Sequence, residues 1–164
     1  MAQTRKTAIG VIGTSSPSRE EWEAAYEVGK QVALKGGIVI TGGLGGVMEA
    51  ASKGAKESGG TTVGILPGGH ASDANPYVDV VIITELAEAR NLIIVKSSDA
   101  LVAVGGGYGT LSEIAFGLKL GIPVVGIQTW ELSKAGDRDE SIARVETPTQ
   151  AVDLAFKLTR GIKS

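Results

Sequence analysis

The chain has no cysteine, a single histidine, and aromatic residues at only 4% of its 164 positions. Without thiols there are no disulfides and no thiolate metal sites, which agrees with a reducing compartment. One histidine and no clustered ligand spacing give no support to metal-assisted hydrolysis. With so few aromatics, a core has to be built from Val, Ile, Leu and Ala. The 16 Lys and Arg are balanced by 18 Asp and Glu, for a formal net charge of −2. A phosphate-backbone partner would call for a basic stripe, so nucleic acid is not expected as a partner. No apolar run approaches the roughly 18 residues needed to span a bilayer. The polar stretch Met1 to Lys6 carries no apolar leader segment. These absences predict a cytoplasmic protein without membrane association.

What the chain has in excess is glycine, 24 residues without a collagen-like period, so the surplus belongs in turns. The most informative turn is Gly105-Gly106-Gly107-Tyr108-Gly109-Thr110-Leu111-Ser112-Glu113, between the apolar run Ala100 to Val104 and a helical pattern. A strand, a glycine turn and a helix start offer unpaired N–H groups and a positive dipole end, which suit an anion and above all a phosphate. Thr110 adds a hydroxyl, and Glu113 sits one turn further on. A carboxylate would repel a phosphate it touched, so Glu113 is better suited to a ribose hydroxyl, a base nitrogen or a water.

The remaining elements alternate. Thr7 to Gly13 reads as a buried strand, followed by the small hydroxyl loop Gly13-Thr14-Ser15-Ser16-Pro17. Ser18 to Glu21 has the form of a capping box and opens a helix that ends near Lys35-Gly36-Gly37. Gly37 to Thr41 is a second strand, and Gly42-Gly43-Leu44-Gly45-Gly46 leads into a helix carrying Val47, Ala50, Ala51, Gly54 and Ala55 on one face. Thr61 to Leu66 and Val78 to Thr84 read as strands, with a loop from Ala71 to Tyr77 between them. Glu85 to Ser97 reads as a helix whose apolar width suggests a buried neighbour or a second subunit. Leu111 to Leu120 is a helix, Val124 to Ile127 a strand, Trp130 to Glu140 a loop and Ser141 to Val145 a last edge strand. Thr147-Pro148-Thr149-Gln150 caps an amphipathic closing helix.

This alternation predicts one α/β domain, residues 1–164, with a doubly wound parallel sheet of six or seven strands flanked by helices. Ligands in such folds sit outside the carboxyl ends of strands, where all the glycine turns fall. The dinucleotide fingerprint fits poorly, because Gly105-x-Gly107-x-x-Thr110 lacks the third glycine and belongs to a late strand. A Walker A motif is absent. Arg90 could fork onto a phosphate or carboxylate, with Asn91 beside it and Asp99 before the fifth strand. The bland alternative for Arg90 is a solvated charge pairing with Glu85 or Glu88. His70 is either a rim contact or an exposed loop residue without a role.

Taken together, Gly13-Thr14-Ser15-Ser16, Thr41-Gly42-Gly43-Leu44-Gly45-Gly46-Val47-Met48, Arg90 and Gly106 to Glu113 resemble the LOG-type Rossmann-like superfamily, long mislabelled as lysine decarboxylases. The likeness spans Thr7 to about Leu158. Its hallmark PGG-x-GT-x-x-E is matched from Gly106 to Glu113, with Gly105 in place of proline. In LOG enzymes the N-glycosidic bond of a nucleoside 5′-monophosphate is hydrolysed, which would give Glu113 and Arg90 catalytic roles. Arg90 is followed by Asn91-Leu92 rather than by lysine, and the GGG-x-GT-x-x-E form resembles the branch that includes molybdenum cofactor carrier proteins. The resemblance therefore implies a small phosphorylated ligand, a nucleotide or a molybdenum cofactor-type pterin, held without a required cofactor and without a metal site. Gly106, Gly107, Gly109 and Thr110 would hold the phosphate, Gly43, Gly45 and Gly46 a second wall, and Gly13, Ser15 and Ser16 further contacts. The preferred expectation is a binding or carrier protein, a homodimer or higher homo-oligomer, with a phosphoribohydrolase as the rival. Lysine decarboxylation is not expected.

Overall fold

The computed structural model describes residues 5–162; Met1 to Thr4, most of the polar N-terminal stretch, lie outside them. In chain order the regular elements are β1 Ala8–Gly13, α1 Arg19–Leu34, β2 Ile38–Thr41, α2 Val47–Glu57, β3 Thr61–Leu66, β4 Val80–Ile83, α3 Asn91–Lys96, β5 Ala100–Val104, α4 Tyr108–Leu120, β6 Val124–Ile127, β7 Leu132–Lys134, β8 Asp137–Asp139, β9 Ala143–Arg144 and α5 Pro148–Ile162. Seven strands form one sheet in the order β4-β3-β2-β1-β5-β6-β9. Every pair in it is parallel. This is the predicted doubly wound α/β domain.

The strands serve two cores, one on each face. Side chains alternate, so β5 sends Ala100, Val102 and Val104 to one layer and Leu101 and Ala103 to the other. The first layer is closed by α1, α2 and α5, the second by α3 and α4. Both predicted capping boxes form: Ser18 Oγ accepts from the Glu21 amide while Glu21 accepts from the Ser18 amide, and Thr147 and Gln150 do the same at α5. Helices α1 and α2 cross at a pair of glycines. A Cβ on Gly29 would sit 1.9 Å from the Ala51 carbonyl oxygen, and one on Gly54 would sit 1.9 Å from that of Tyr26.

The segment expected as one helix from Glu85 to Ser97 is instead a 3-10 turn, Ala87–Arg90, followed by the short α3. Its start is diverted because the Glu85 and Ala87 amides donate to the Gly68 and Pro67 carbonyls, with φ of +54° and +49° at those two residues. Ile94 and Val95 are fully buried against the protein's own sheet, so the apolar width of this segment is used inside the protomer. The expected loop Trp130 to Glu140 contains the antiparallel hairpin β7–β8. Its two-residue turn Ala135-Gly136 has positive φ at both positions, the geometry that matches strand twist, but alanine gives no sequence signal for it. Helix α4 starts at Tyr108, one turn before Leu111, and the last two strands of the sheet, β4 and β9, are shorter than read.

The glycine crossing gives a test of the fold. Gly54→Ala gains helix propensity of about 1 kcal/mol, yet it drives a methyl group into the backbone of α1. The expected result is a net loss of about 1–3 kcal/mol in urea denaturation. An unchanged or raised midpoint would show that the helices separate without cost.

Candidate functional site

β1 is the first strand of the sheet and lies in its middle, with β2 on one side and β5 on the other. The chain leaves β1 towards α1 on one face and leaves β5 towards α4 on the opposite face. The strand ends between them stay uncovered, the position where doubly wound sheets open a crevice. A cavity of about 360 Å³ occupies it. Gly13 at the end of β1 with Thr14 and Ser15 after it, Gly42 and Leu44 after β2, Met48 on α2 and Pro67 after β3 form one side. Glu88, Arg90 and Asn91 from the 3-10 turn and α3, with Gly107, Gly109, Thr110 and Glu113 of α4, form the other.

The structure thus brings Gly13, Ser15, Arg90, Gly107, Gly109, Thr110 and Glu113 together around one space. Ser16, Gly43, Gly45, Gly46 and Gly106 are not among its lining residues. Gly43 packs on Leu66 and Gly64, and Gly46 lies against the backbone of Thr14 and Ser15. The second wall is made by Gly42, Leu44 and Met48 instead. Gly42 and Pro67 directly follow β2 and β3, and the rule that ligands sit beyond strand carboxyl ends was the signal for them. Leu44 and Met48 gave none, since an apolar residue in a turn reads as packing. Asp99 does not converge on the site. It lies at the opposite end of β5, where its carboxylate accepts from the Ala8 amide at 2.8 Å and pairs with Arg5. His70 is exposed and outside the cavity.

Helix α4 has Gly107 at its N-cap, with no capping side chain and no acidic residue in its first turn. The first intrahelical backbone donor is the Leu111 amide, which reaches the Gly107 carbonyl at 3.0 Å. The amides before it are free to meet a ligand, and the dipole favours an anion there. The turn behind the helix is left-handed, with φ of +56° at Gly105 and +117° at Gly106. Proline, fixed at φ of about −65°, cannot take the conformation seen at Gly105. The glycine at this position therefore belongs to a different turn geometry from the one a proline would impose.

Arg90 is 9% exposed and makes no ion pair among the described residues. Its Nη1 donates to Asn91 Oδ1 at 2.5 Å, and its buried Nε has no partner. Asn91 is fixed in turn, donating through Nδ2 to Ser112 Oγ at 3.0 Å, while Ser112 donates to the Gly109 carbonyl at 2.6 Å. The guanidinium lies against Gly42, where a Cβ would approach Nη2 to 2.7 Å. Arg90 is thus a held cation facing the cavity, not a solvated charge on Glu85 or Glu88. Glu113 is 6% exposed. Burial pushes its carboxyl up to about 8, with the Arg90 charge offsetting only part of that rise. Burial also lowers the Arg90 pKa, opposed by Glu113 and Glu88. At neutral pH Glu113 therefore carries a proton, and the repulsion it would exert on an anion is removed.

The sign of this shift can be checked. A carboxyl raised from 4.5 to about 8 on folding binds more protons in the native state than in the unfolded state across that window. Its contribution is complete below the unfolded value and is lost as pH rises through about 8. Glu113→Gln is expected to abolish this component. Between pH 5 and 9 the wild type should lose roughly a few kcal/mol relative to the variant in urea denaturation. Parallel pH profiles for the two proteins would mean that Glu113 is ionised in the native state.

The chain is 48% identical over 149 residues to an uncharacterized protein from Archaeoglobus fulgidus, covering 90% of this chain and 93% of that one. Among solved structures, the molybdenum cofactor binding protein of Rippkaea orientalis superposes with a TM-score of 0.83 at 34% identity, covering 99% of this chain and 100% of that one. The molybdenum cofactor carrier protein of Chlamydomonas reinhardtii superposes with a TM-score of 0.81 at 36% identity, covering 95% and 99%. A cytokinin riboside 5′-monophosphate phosphoribohydrolase of Mycobacterium tuberculosis is 35% identical over 111 residues, 65% of this chain but only 59% of the enzyme. Residues 6–152 match the model of the SLOG cluster4 family, and the chain belongs to that family.

Proposed function

We propose that the protein binds a phosphorylated nucleotide-like ligand, a nucleotide or a molybdenum cofactor-type pterin, in the cavity between β1 and β5, and acts as a binding or carrier protein. The observation that carries this reading is the uncapped N-terminus of α4 opening onto a cavity that also holds the buried Arg90, whose Nε has no partner. The ligand's phosphate meets the first amides of α4 and Thr110, and Arg90 supplies the one cation among the lining residues. The near full-length superposition on the molybdenum cofactor binding protein of R. orientalis and the carrier protein of C. reinhardtii supports the cargo half of the proposal. Nucleic acid has no place in it, given the net charge of −2. A cytoplasmic location is part of the same proposal; among the described residues no helix is long and apolar enough to cross a membrane.

The second reading is a phosphoribohydrolase, favoured by the buried Arg90 and Glu113 facing the same cavity. In that reaction water adds to the anomeric carbon, the N-glycosidic bond breaks, the leaving nitrogen takes a proton, and ribose 5-phosphate and free base result. A protonated Glu113 would donate the proton, with rate falling as pH rises through about 8. An ionised one would activate the water, with rate rising over the same range.

Mass spectrometry of ligand released from purified protein, with a screen of nucleoside 5′-monophosphates for free base, separates the readings. The carrier predicts intact ligand and no turnover. Accumulating base that disappears in Glu113→Gln would replace it with the enzyme. A Cβ on Gly107 meets nothing within 4 Å and φ there is ordinary, so Gly107→Leu should fold normally while its side chain crowds the anion site. Ligand affinity is expected to fall at least about tenfold, roughly 1.4 kcal/mol, with an unchanged thermal midpoint. Retained affinity would move the ligand away from α4.

Homo-oligomerisation is part of the same proposal, on a different surface from the α3 segment. Val80, Ile82 and Ile83 of edge strand β4, with Leu86 beside it, are exposed apolar residues around an unpaired sheet edge. Ile82→Lys is expected to shift the protein towards monomer in analytical ultracentrifugation. A wild type that sediments as a monomer at all concentrations would remove this element.

A further inference from the structure

The glycine turn that begins α4 is held from behind. β5 lies between β1, on the cavity side, and β6 on the other. The segment that leaves β6 fastens the turn at three points. The Ile127 carbonyl accepts from the Gly105 amide at 3.1 Å. Thr129 Oγ1 donates to the Gly105 carbonyl at 2.5 Å, and Trp130 Nε1 donates to the Gly107 carbonyl at 3.1 Å. The segment is itself tied down, with Arg144 Nη2 of β9 donating to the Trp130 carbonyl at 2.6 Å. Gln128, directly before Thr129, takes φ of +46°, a conformation a non-glycine residue keeps only when its surroundings enforce it.

The consequence follows from peptide planarity. No peptide bond in the described residues is cis. In a trans peptide the C=O and the following N–H point in opposite directions. The Gly107 carbonyl is shared with the Leu111 amide of the helix, whereas the Gly105 carbonyl takes its side-chain donor from Thr129. Fastening both carbonyls on the β6 side turns the amides of Gly106 and Tyr108 away from β6, towards the β1 side; these two residues flank Gly107, which lines the cavity. We infer that Thr129 and Trp130 are positioning residues for the anion site: they touch no ligand, and they aim the amides that do. Neither lines the cavity. The inference rests on the proposal that α4 receives a phosphate.

Thr129→Val keeps the shape of the side chain and removes the donor, Thr129→Ser keeps the donor, and Trp130→Phe removes the indole N–H while leaving a ring beside Tyr108. Amide spectra of the full chain are recorded for the wild type and each variant during titration with inorganic phosphate and with AMP. In the wild type the Gly106 and Tyr108 amides are expected to move on titration. In Thr129→Val and Trp130→Phe both amides are displaced before any ligand is added, and affinity is weaker by about three- to tenfold. Thr129→Ser restores both. Variants with a lower thermal midpoint but wild-type affinity and unmoved amides would reduce the two residues to packing and overturn the inference alone. A wild type whose Gly106 to Thr110 amides respond to neither probe would overturn the anion reading, and this inference with it.

Discussion

The contact on which the site depends is the side-by-side pairing of β1 with β5. It runs from Ile9 opposite Ala100 to Gly13 opposite Val104. Two strands held parallel end at the same level, but their chains depart to opposite faces, one to α1 and the other to α4. No connection crosses the gap between them, so a crevice is a topological necessity and not an accident of side-chain packing. What the sequence chooses is the lining. Small residues after β1 and β2 keep the gap open, and the 3-10 turn before α3 brings Arg90 across its far side.

Burial then decides the chemistry of that space. Arg90 and Glu113 are both nearly withdrawn from water, a situation that ordinarily forces opposite charges into contact. Here no ion pair forms. Arg90 is satisfied in part by Asn91, and its Nε stays unpartnered. Glu113 responds to burial by holding its proton. A buried cation with no ion pair among the described residues is an incomplete arrangement, and under the proposed function an anionic ligand would complete it. The guanidinium and the first amides of α4 border the same cavity, which is why the proposed phosphate could meet both.

Much of this was legible in the sequence, and the reasons are local. The glycine turns at the ends of β1, β2 and β5, both capping boxes and the alternation of elements gave the parallel sheet and the side of it that carries the site. Glu113 stands out from its place one turn into the helix after the glycine turn and Arg90 as a cation able to fork onto a phosphate, while their catalytic roles come only from a family likeness, because nothing in their spacing shows that they meet. The hidden parts share a cause: backbone conformations that a residue's identity does not announce. Glu85 and Ala87 take left-handed φ because loop carbonyls hold their amides, and that converts an apparent helix into a bent strap. Ala135 does the same in a hairpin turn where asparagine or glycine would have been the expected sign. Gly43 and Gly46 are held by close packing and positive φ, Gly43, Gly45 and Gly46 are not among the lining residues, and the apolar Leu44 and Met48 face the cavity.

The same pocket could hold a cargo or break it, and the difference lies in the state of one carboxyl. A carrier gains from a neutral Glu113, since a charged one would oppose the phosphate beside it and release the ligand. A hydrolase working through a carboxylate that stabilises an oxocarbenium-like ribose needs the charge. With the carboxyl raised to about 8, most molecules at neutral pH hold the form suited to retention. Arg90 acts in the opposite sense. A ligand phosphate placed next to it weakens the positive field on Glu113 and raises the carboxyl further. Under the proposed function, binding an anion in this cavity reinforces the protonation that tolerates the anion, and that coupling works against hydrolysis through an ionised Glu113, while proton donation by a neutral Glu113 is told apart by its opposite pH dependence.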